Sequence, residues 1–178
     1  VFIMYNNMRK IQEPKITIIT VVKNGMPYIE DSISSFNGQS YNHKELVVVC
    51  SKSTDGTVEW LKKNKNKIDK LIFDNRSQNK YEAINLGIKK ATGNIIGVLH
   101  ADDFFASKGV LKKIAHVHDK NKSIDLTYGN VLFCKRNNIR KISRYWKSND
   151  YKKNLINKGW MPPHTTLFIN EKIYRKLK

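Results

Sequence analysis

Four short apolar runs constrain this chain most: KITIITVV at 15–22, ELVVVC at 45–50, LIF at 71–73 and NIIGVL at 94–99. Each has strand length, and the near-continuous apolarity of the first is the pattern of a strand covered on both faces of a parallel sheet. Between the runs the spacing becomes helical. Ile29, Ile33 and Phe36 fall at i, i+4 and i+7 and make one stripe. STDGT (53–57) precedes a helix carrying Val58, Trp60 and Leu61, with Asp55 as its expected N-cap. Tyr81, Ile84, Ile88 and Ala91 mark a further stripe, with Gly93 where a C-cap glycine belongs. Alternation of this kind predicts an α/β fold: a mostly parallel central sheet with helices on both faces.

Past residue 107 the residues Val110, Leu111, Ile114 and Ala115 predict another helix, on which His116 and His118 are expected to be exposed. IDLTYGNVLFC (124–134) reads as strand, turn and strand around Gly129. Residues 1–14 have no clear period and are expected to form a leader arm ending at Pro14, with 15–178 as one domain. No run approaches the ~20 apolar residues that span a bilayer. Cys50 and Cys134 lack CxxC spacing, so neither a zinc site nor a disulfide framework is expected.

The run at 94–99 delivers the chain to His100, Asp102 and Asp103. In open α/β sheets ligands bind outside the carboxyl ends of the strands, where this acid pair is expected to lie. Adjacent carboxylates concentrate negative charge where a hard divalent cation, Mg2+ or Mn2+, can sit. The plainer reading is two solvated loop acids. There is no GxGxxG after the first strand and no GxxxxGK[ST], so a bound phosphate is not held by a glycine-rich loop. A cation on the acid pair is the other way to hold one.

Charge bears on the partner. Lys and Arg number 33 against 15 Asp and Glu, a net +18 that attracts nucleic acid, anionic membrane or phosphorylated substrates. Residues 135–158 concentrate it: Lys135, Arg136, Arg140, Lys141, Arg144, Lys147, Lys152, Lys153 and Lys158 face one acid, Asp150, with Tyr145, Trp146 and Tyr151 interleaved. The segment suits an anionic membrane surface or a pyrophosphate-bearing lipid, or it is a solvated lysine-rich loop.

Five segments, in order, carry a resemblance: ITIITVVKNG (16–25), STDGT (53–57), YEAINLGIKKATGNIIGVLHADD (81–103), YGNV (128–131) and MPPHTTLFI (161–169). With them the chain resembles the family-2 glycosyltransferases of glycosyltransferase A fold, most closely the bacterial enzymes that extend colanic-acid-like, capsular or lipopolysaccharide chains. The resemblance implies a nucleotide-diphosphate sugar donor, Mn2+ or Mg2+, and inverting transfer to the hydroxyl of a saccharide or lipid-linked acceptor. By position Asp103 is the metal ligand, and Asp102 faces the donor ribose or shares the metal. Thr20, Val21 and Lys23 at the first strand's end and Ser51 at the second's frame the base. Asn85 either faces the donor or satisfies the core.

The chain departs from the family pattern at named positions. Cys50 and Ser51 stand where an acid commonly meets the uracil ring, Lys23 where a Tyr is usual, Ser77 where an Asp is, and His100 where an Asn or Asp is. The family's base is an Asp some distance beyond the PHxT segment, and the chain ends at Lys178 before that motif. Three readings follow: His164 substitutes as the base beside Asp102, the chain is a fragment of a longer enzyme, or it is a naturally truncated form with little activity; a domain truncated at its C-terminus is the expectation, and Asp150 is the weaker base candidate. Such an enzyme is expected in the cytoplasm or at the inner face of the bacterial membrane. A sugar-phosphate nucleotidyltransferase and a basic nucleic-acid-binding module are the competing readings; the second gives no reason for HADD at a strand end.

Overall fold

The computed structural model describes residues 13–135 and 138–177. Residues 1–12 of the expected leader arm and Arg136 of the basic segment lie outside the described residues. The arm's last residues are tied down, for the Tyr41 hydroxyl donates to Pro14 O at 2.6 Å.

All four apolar runs are strands: β1 (Ile16–Val22), β2 (Lys44–Cys50), β3 (Lys70–Phe73) and β4 (Ile95–Val98). They pair in parallel in the order β3-β2-β1-β4. β8 (Phe168–Asn170) then adds antiparallel to β4, and β5 (Leu126–Thr127) antiparallel to β8. The expected strand-turn-strand at 124–134 is therefore not a hairpin. Leu126 and Thr127 belong to the central sheet, whereas β6 (Val131–Lys135) leaves it to pair with β7 (Asn138–Trp146).

Strand parity sorts the core into two layers. Ile16, Ile18, Leu46, Val48 and Ile95 meet Ile29, Ile33 and Phe36 of α1 (Tyr28–Asn37), Leu61 of α2 (Thr57–Lys63) and Leu111 and Ala115 of α4 (Val110–Lys120). Ile19, Val47, Val49 and Ile96 meet Ala83, Leu86 and Ile88 of α3 (Lys80–Lys90) on the opposite face, with Tyr174 of α5 (Glu171–Lys176). The α/β fold with helices on both faces is as the sequence predicts.

The α3 stripe is corrected in part, for Ile88 and Ala91 pack against the core as the spacing predicts. Tyr81 is 66% exposed, and the buried positions are Ala83 and Gly87. The helix lies so close to β1 that a Cβ at Gly87 would stand 2.5 Å from Ile19 Cγ2, so small residues define its inner face. Gly93 is likewise not the C-cap, which is Ala91. A Cβ there would stand 2.6 Å from the backbone N of Thr17, and the Gly93 N–H donates to Thr17 Oγ1 at 2.9 Å. His118 is buried rather than exposed and pairs with Thr127 Oγ1 at 3.2 Å, joining α4 to β5.

No helix among the described residues is long and apolar enough to cross a membrane.

Candidate functional site

At the carboxyl ends of the parallel strands the chain leaves a cavity of about 730 Å3. Val21, Val22, Lys23, Asn24 and Gly25 line it from β1 and its loop, Ser51 from β2, and His100, Ala101 and Asp102 from the loop after β4. Ser77, Gln78, Asn79, Lys80 and Ala83 close it from the start of α3, Tyr28 from α1, and His164 from the PPHTT segment. Its size is that of a small-molecule or cofactor site.

The loops around it are held by side chains. Asn24, at φ 53, accepts from Thr54 N at 2.9 Å, and its own N–H donates to Ser53 Oγ at 3.0 Å. Asp55, expected only to cap α2, joins the two loops: one carboxylate oxygen accepts from Met26 N at 2.9 Å and the other from Thr57 N at 3.1 Å and the Thr57 hydroxyl at 2.6 Å. The Thr57 hydroxyl bond, with the two N–H donors, holds the Asp55 carboxyl below the usual carboxylate range. The cap position of α2 is Gly56.

The wall from α3 is built like a capping box. The Asn79 side chain accepts from Tyr81 N and Glu82 N, while Glu82 takes the Asn79 amide at 3.0 Å and Gln78 N at 2.9 Å. The positive end of the helix dipole therefore borders the cavity, which Lys80 and Lys23 also line, with the Lys80 ammonium 5.1 Å from the Tyr81 ring. Asp74, after β3, is engaged elsewhere, accepting from Arg76 N at 3.0 Å and Ser77 N at 3.3 Å. Among the described residues Asp102 is the one carboxylate that lines the cavity.

The HADD turn closes with Asp103 N donating to His100 O at 3.0 Å. Asp102 is exposed and lines the cavity, while Asp103 is half-buried. Burial, then the charge of Asp102, raises the Asp103 carboxyl, with His100 and His164 opposing. The His100 and His164 rings meet edge to face at 5.7 Å. Burial lowers the His100 imidazole, against the pull of Asp103. Among the described residues no group of three or more His, Cys, Asp and Glu is arranged to hold a metal ion. A cation here must complete its shell from ligand oxygens and water, the habit of magnesium.

The expected site residues divide. Val21, Lys23, Ser51, Asp102 and His164 line the cavity, whereas Asp103, next in sequence to Asp102, is not among its lining residues. Asn85 is exposed on α3 and does not line it, since the helix turns Ala83 and Gly87 toward the sheet. Thr20 is fully buried, because its parity in β1 is that of Ile18 and Val22, which face the α1 layer. Its hydroxyl is the buried side-chain polar atom without a partner among the described residues. Thr20→Val is therefore expected to raise stability by up to about 1 kcal/mol in a urea melt while leaving ligand binding unchanged. Asp150 is exposed and outside the cavity. Asn24 and Gln78 were not singled out by the sequence; the Asn24-Gly25 turn directly after β1 was the available signal for the first.

Comparison with known proteins gives the same direction. Residues 17–175 match the model of Glycosyl transferase family 2. An "Uncharacterized glycosyltransferase" of Haemophilus influenzae is 34% identical over 123 residues, covering 68% of this chain and 48% of that protein. The GalNAc(5)-diNAcBac-PP-undecaprenol beta-1,3-glucosyltransferase of Campylobacter jejuni is 28% identical over 131 residues, covering 72% and 41%. Among solved structures, TarS 1-349 of S. aureus in complex with UDP-GlcNAc superimposes with a TM-score of 0.55 at 28% identity over 63% of this chain and 33% of that one. The chain spans less than half the length of each.

Proposed function

Because the chain belongs to glycosyl transferase family 2, we propose that its cavity binds a nucleotide-diphosphate sugar and presents the sugar to an acceptor hydroxyl, with inversion at the anomeric carbon. The observation that carries this reading is the acid pair Asp102-Asp103 at the carboxyl end of β4, beside a cavity that Lys23 and Lys80 border. Among the described residues the cavity is otherwise poor in carboxylates, so a diphosphate there has Lys23, Lys80 and the N-terminus of α3 within the lining and needs a cation only at the acid pair. The binding of UDP-GlcNAc by TarS and the lipid-linked substrate in the name of the Campylobacter relative support the donor and acceptor classes.

Asp103 would hold a divalent ion, with Asp102 sharing it or meeting the donor ribose. Bound there, Mn2+ or Mg2+ supplies Lewis-acid stabilisation of the charge that grows on the leaving diphosphate. The rest falls to the chain's own groups. Lys23 and Lys80 neutralise phosphate oxygens, while Val21, Asn24, Ser51 and Gln78 frame the base. No carboxylate faces that end, so base selection rests on neutral amide and hydroxyl groups. As the acceptor oxygen bonds to the anomeric carbon and the sugar-phosphate bond breaks, the hydroxyl proton passes to His164, a cavity-lining ring beside His100. The acceptor is a saccharide or lipid-linked saccharide in polysaccharide or glycolipid synthesis, reached from the inner face of a bacterial membrane.

The test is a thermal-shift panel of UDP, GDP, CMP and dTDP sugars with and without manganese, beside a DNA oligonucleotide. A manganese-dependent rise with one nucleotide class is expected. A DNA response that survives moderate salt, with none from any sugar nucleotide, would overturn the reading in favour of a nucleic-acid module. Family membership does not favour that module or a nucleotidyltransferase.

A further inference from the structure

β6 and β7 leave the central sheet and, among the described residues, pair only with each other. A two-stranded ribbon alone is marginal in water unless something covers a face. Directly opposed residues share a face. Phe133 pairs with Arg144 and Val131 with Trp146, and the Arg144 guanidinium lies 5.1 Å from the Phe133 ring and 5.9 Å from that of Trp146. On the other face Leu132 pairs with Tyr145 and Cys134 with Ile142. Tyr145 is 54% exposed and Ile142 53%, and Ile139 near the start of β7 is 52%. Among the described residues, apolar side chains thus stand exposed on both faces.

Nine basic residues against one acid between 135 and 158 say what covers them. A protein partner's buried surface would be depleted in lysine. A nucleic acid would use the cations and stack on the aromatics but leave Ile139 and Ile142 in water. A layer of anionic phospholipid headgroups accommodates both: aromatic rings and aliphatic tips sit among the headgroups, and lysine stems run along them with the ammonium at phosphate. We propose that the β6–β7 hairpin is a membrane-docking element that lies against an anionic phospholipid surface.

Docking there also orients the cavity. Asn130, at the hairpin's base, donates to the Tyr145 hydroxyl at 2.6 Å, and its oxygen accepts from Ser148 N at 2.9 Å. The neighbouring Gly129 N donates to Thr166 Oγ1 at 3.1 Å, in the same short turn as His164. The cavity-lining His164 is thus linked to the ribbon through its own turn and residues 129–130. The inference goes beyond the transferase reading and stands apart from it, since it is read with lipid alone.

The experiment is co-sedimentation of the 178-residue chain with vesicles of phosphatidylcholine, without and with phosphatidylglycerol at about one third. Binding is expected to the mixed vesicles only. Lys141→Gln with Lys147→Gln is expected to lower the partition coefficient about 25-fold, roughly fivefold for each charge. The matched pair Lys62→Gln and Lys63→Gln, on α2, is expected to leave it unchanged. Ile139→Ser with Ile142→Ser, both at exposed positions, should abolish the fraction retained at about 1 M salt, where electrostatic reach has shrunk to about 3 Å. Equal losses in the α2 pair would overturn the proposal, because diffuse charge would then account for binding. So would retention at high salt in the isoleucine variant, no vesicle binding at all, or DNA binding without vesicle binding.

Discussion

Asp103→Ala is expected to abolish the manganese-dependent part of nucleotide-sugar binding and to leave the ligand-free chain as stable as before, or more so. Asp103 carries its charge in a half-buried place beside Asp102. No lysine or arginine pairs with it in the described ion pairs, and the nearest relief is the pair of imidazoles, His100 and His164. A carboxyl raised in this way is ionised at a cost to the fold at neutral pH, because its unfolded counterpart loses the proton more readily. Removing it takes away a like-charge contact and a desolvation cost. Binding behaves oppositely: losing the ligand that holds the cation should weaken donor affinity in manganese at least about 100-fold. Calorimetry with and without manganese, beside a urea melt, separates the effects. Unchanged manganese-dependent affinity would sink the assignment of the cation to Asp103, and a large loss of stability would mean that the residue is structural.

Glu45→Ala is expected to be the most destabilising single change, for reasons far from the cavity. Glu45 is 3% exposed at the start of β2, and its carboxylate joins four elements. It accepts from the Thr17 hydroxyl of β1 at 2.6 Å and from Thr92 N and Thr92 Oγ1, both at 2.9 Å, after α3. Lys70 of β3 lies at 2.9 Å and Lys15 at 3.5 Å. Burial by itself raises this carboxyl, but the bonds from Thr17, Thr92 and Lys70 outweigh it and hold it down to about 2.

Truncation leaves Thr17, Thr92 and two lysines without their shared acceptor, at a cost of about 3 to 5 kcal/mol. That is a large part of the 5 to 15 kcal/mol typical of a whole domain. Because the folded value lies below the ordinary 4.5, the stability that Glu45 adds is present above that pH and lost as the pH falls toward about 2. Urea melts from pH 7 to pH 3 should show wild type losing part of this increment below the ordinary value while Glu45→Gln stays flatter. Equal slopes in the two proteins would place the acid sensitivity elsewhere.

The cavity and Glu45 differ in how far the sequence announces them. HADD follows an apolar run of strand length, and that strand's place in a βαβ series puts its carboxyl end at the ligand side. Lys23, Ser51 and His164 were legible by the same logic, each standing at a strand end or in a family-like segment. Glu45 was not, because ELVVVC reads only as a strand with a polar first residue. Its four partners are brought together by crossovers that place β1 between β2 and β4. Thr20 and Asn85 misled for a related reason. Each is close in sequence to the cavity, but strand parity buries Thr20 under the α1 layer and the inner face of α3 belongs to Ala83 and Gly87.

By itself the sequence determined the order of strands and helices, the mostly parallel sheet and the end of it that carries the acid pair. Those follow from local periodicity and from the need to bury apolar runs on both faces of the sheet. Only the tertiary structure decided that β5 and β8 extend the central sheet, that β6 and β7 form a separate basic ribbon, and that Asn24, Gln78 and His164 share one cavity with Asp102. Pairing between distant strands and the closeness of a helix to its sheet depend on shape across the core. A chain's own spacing records which face is apolar, but not which distant face it will meet.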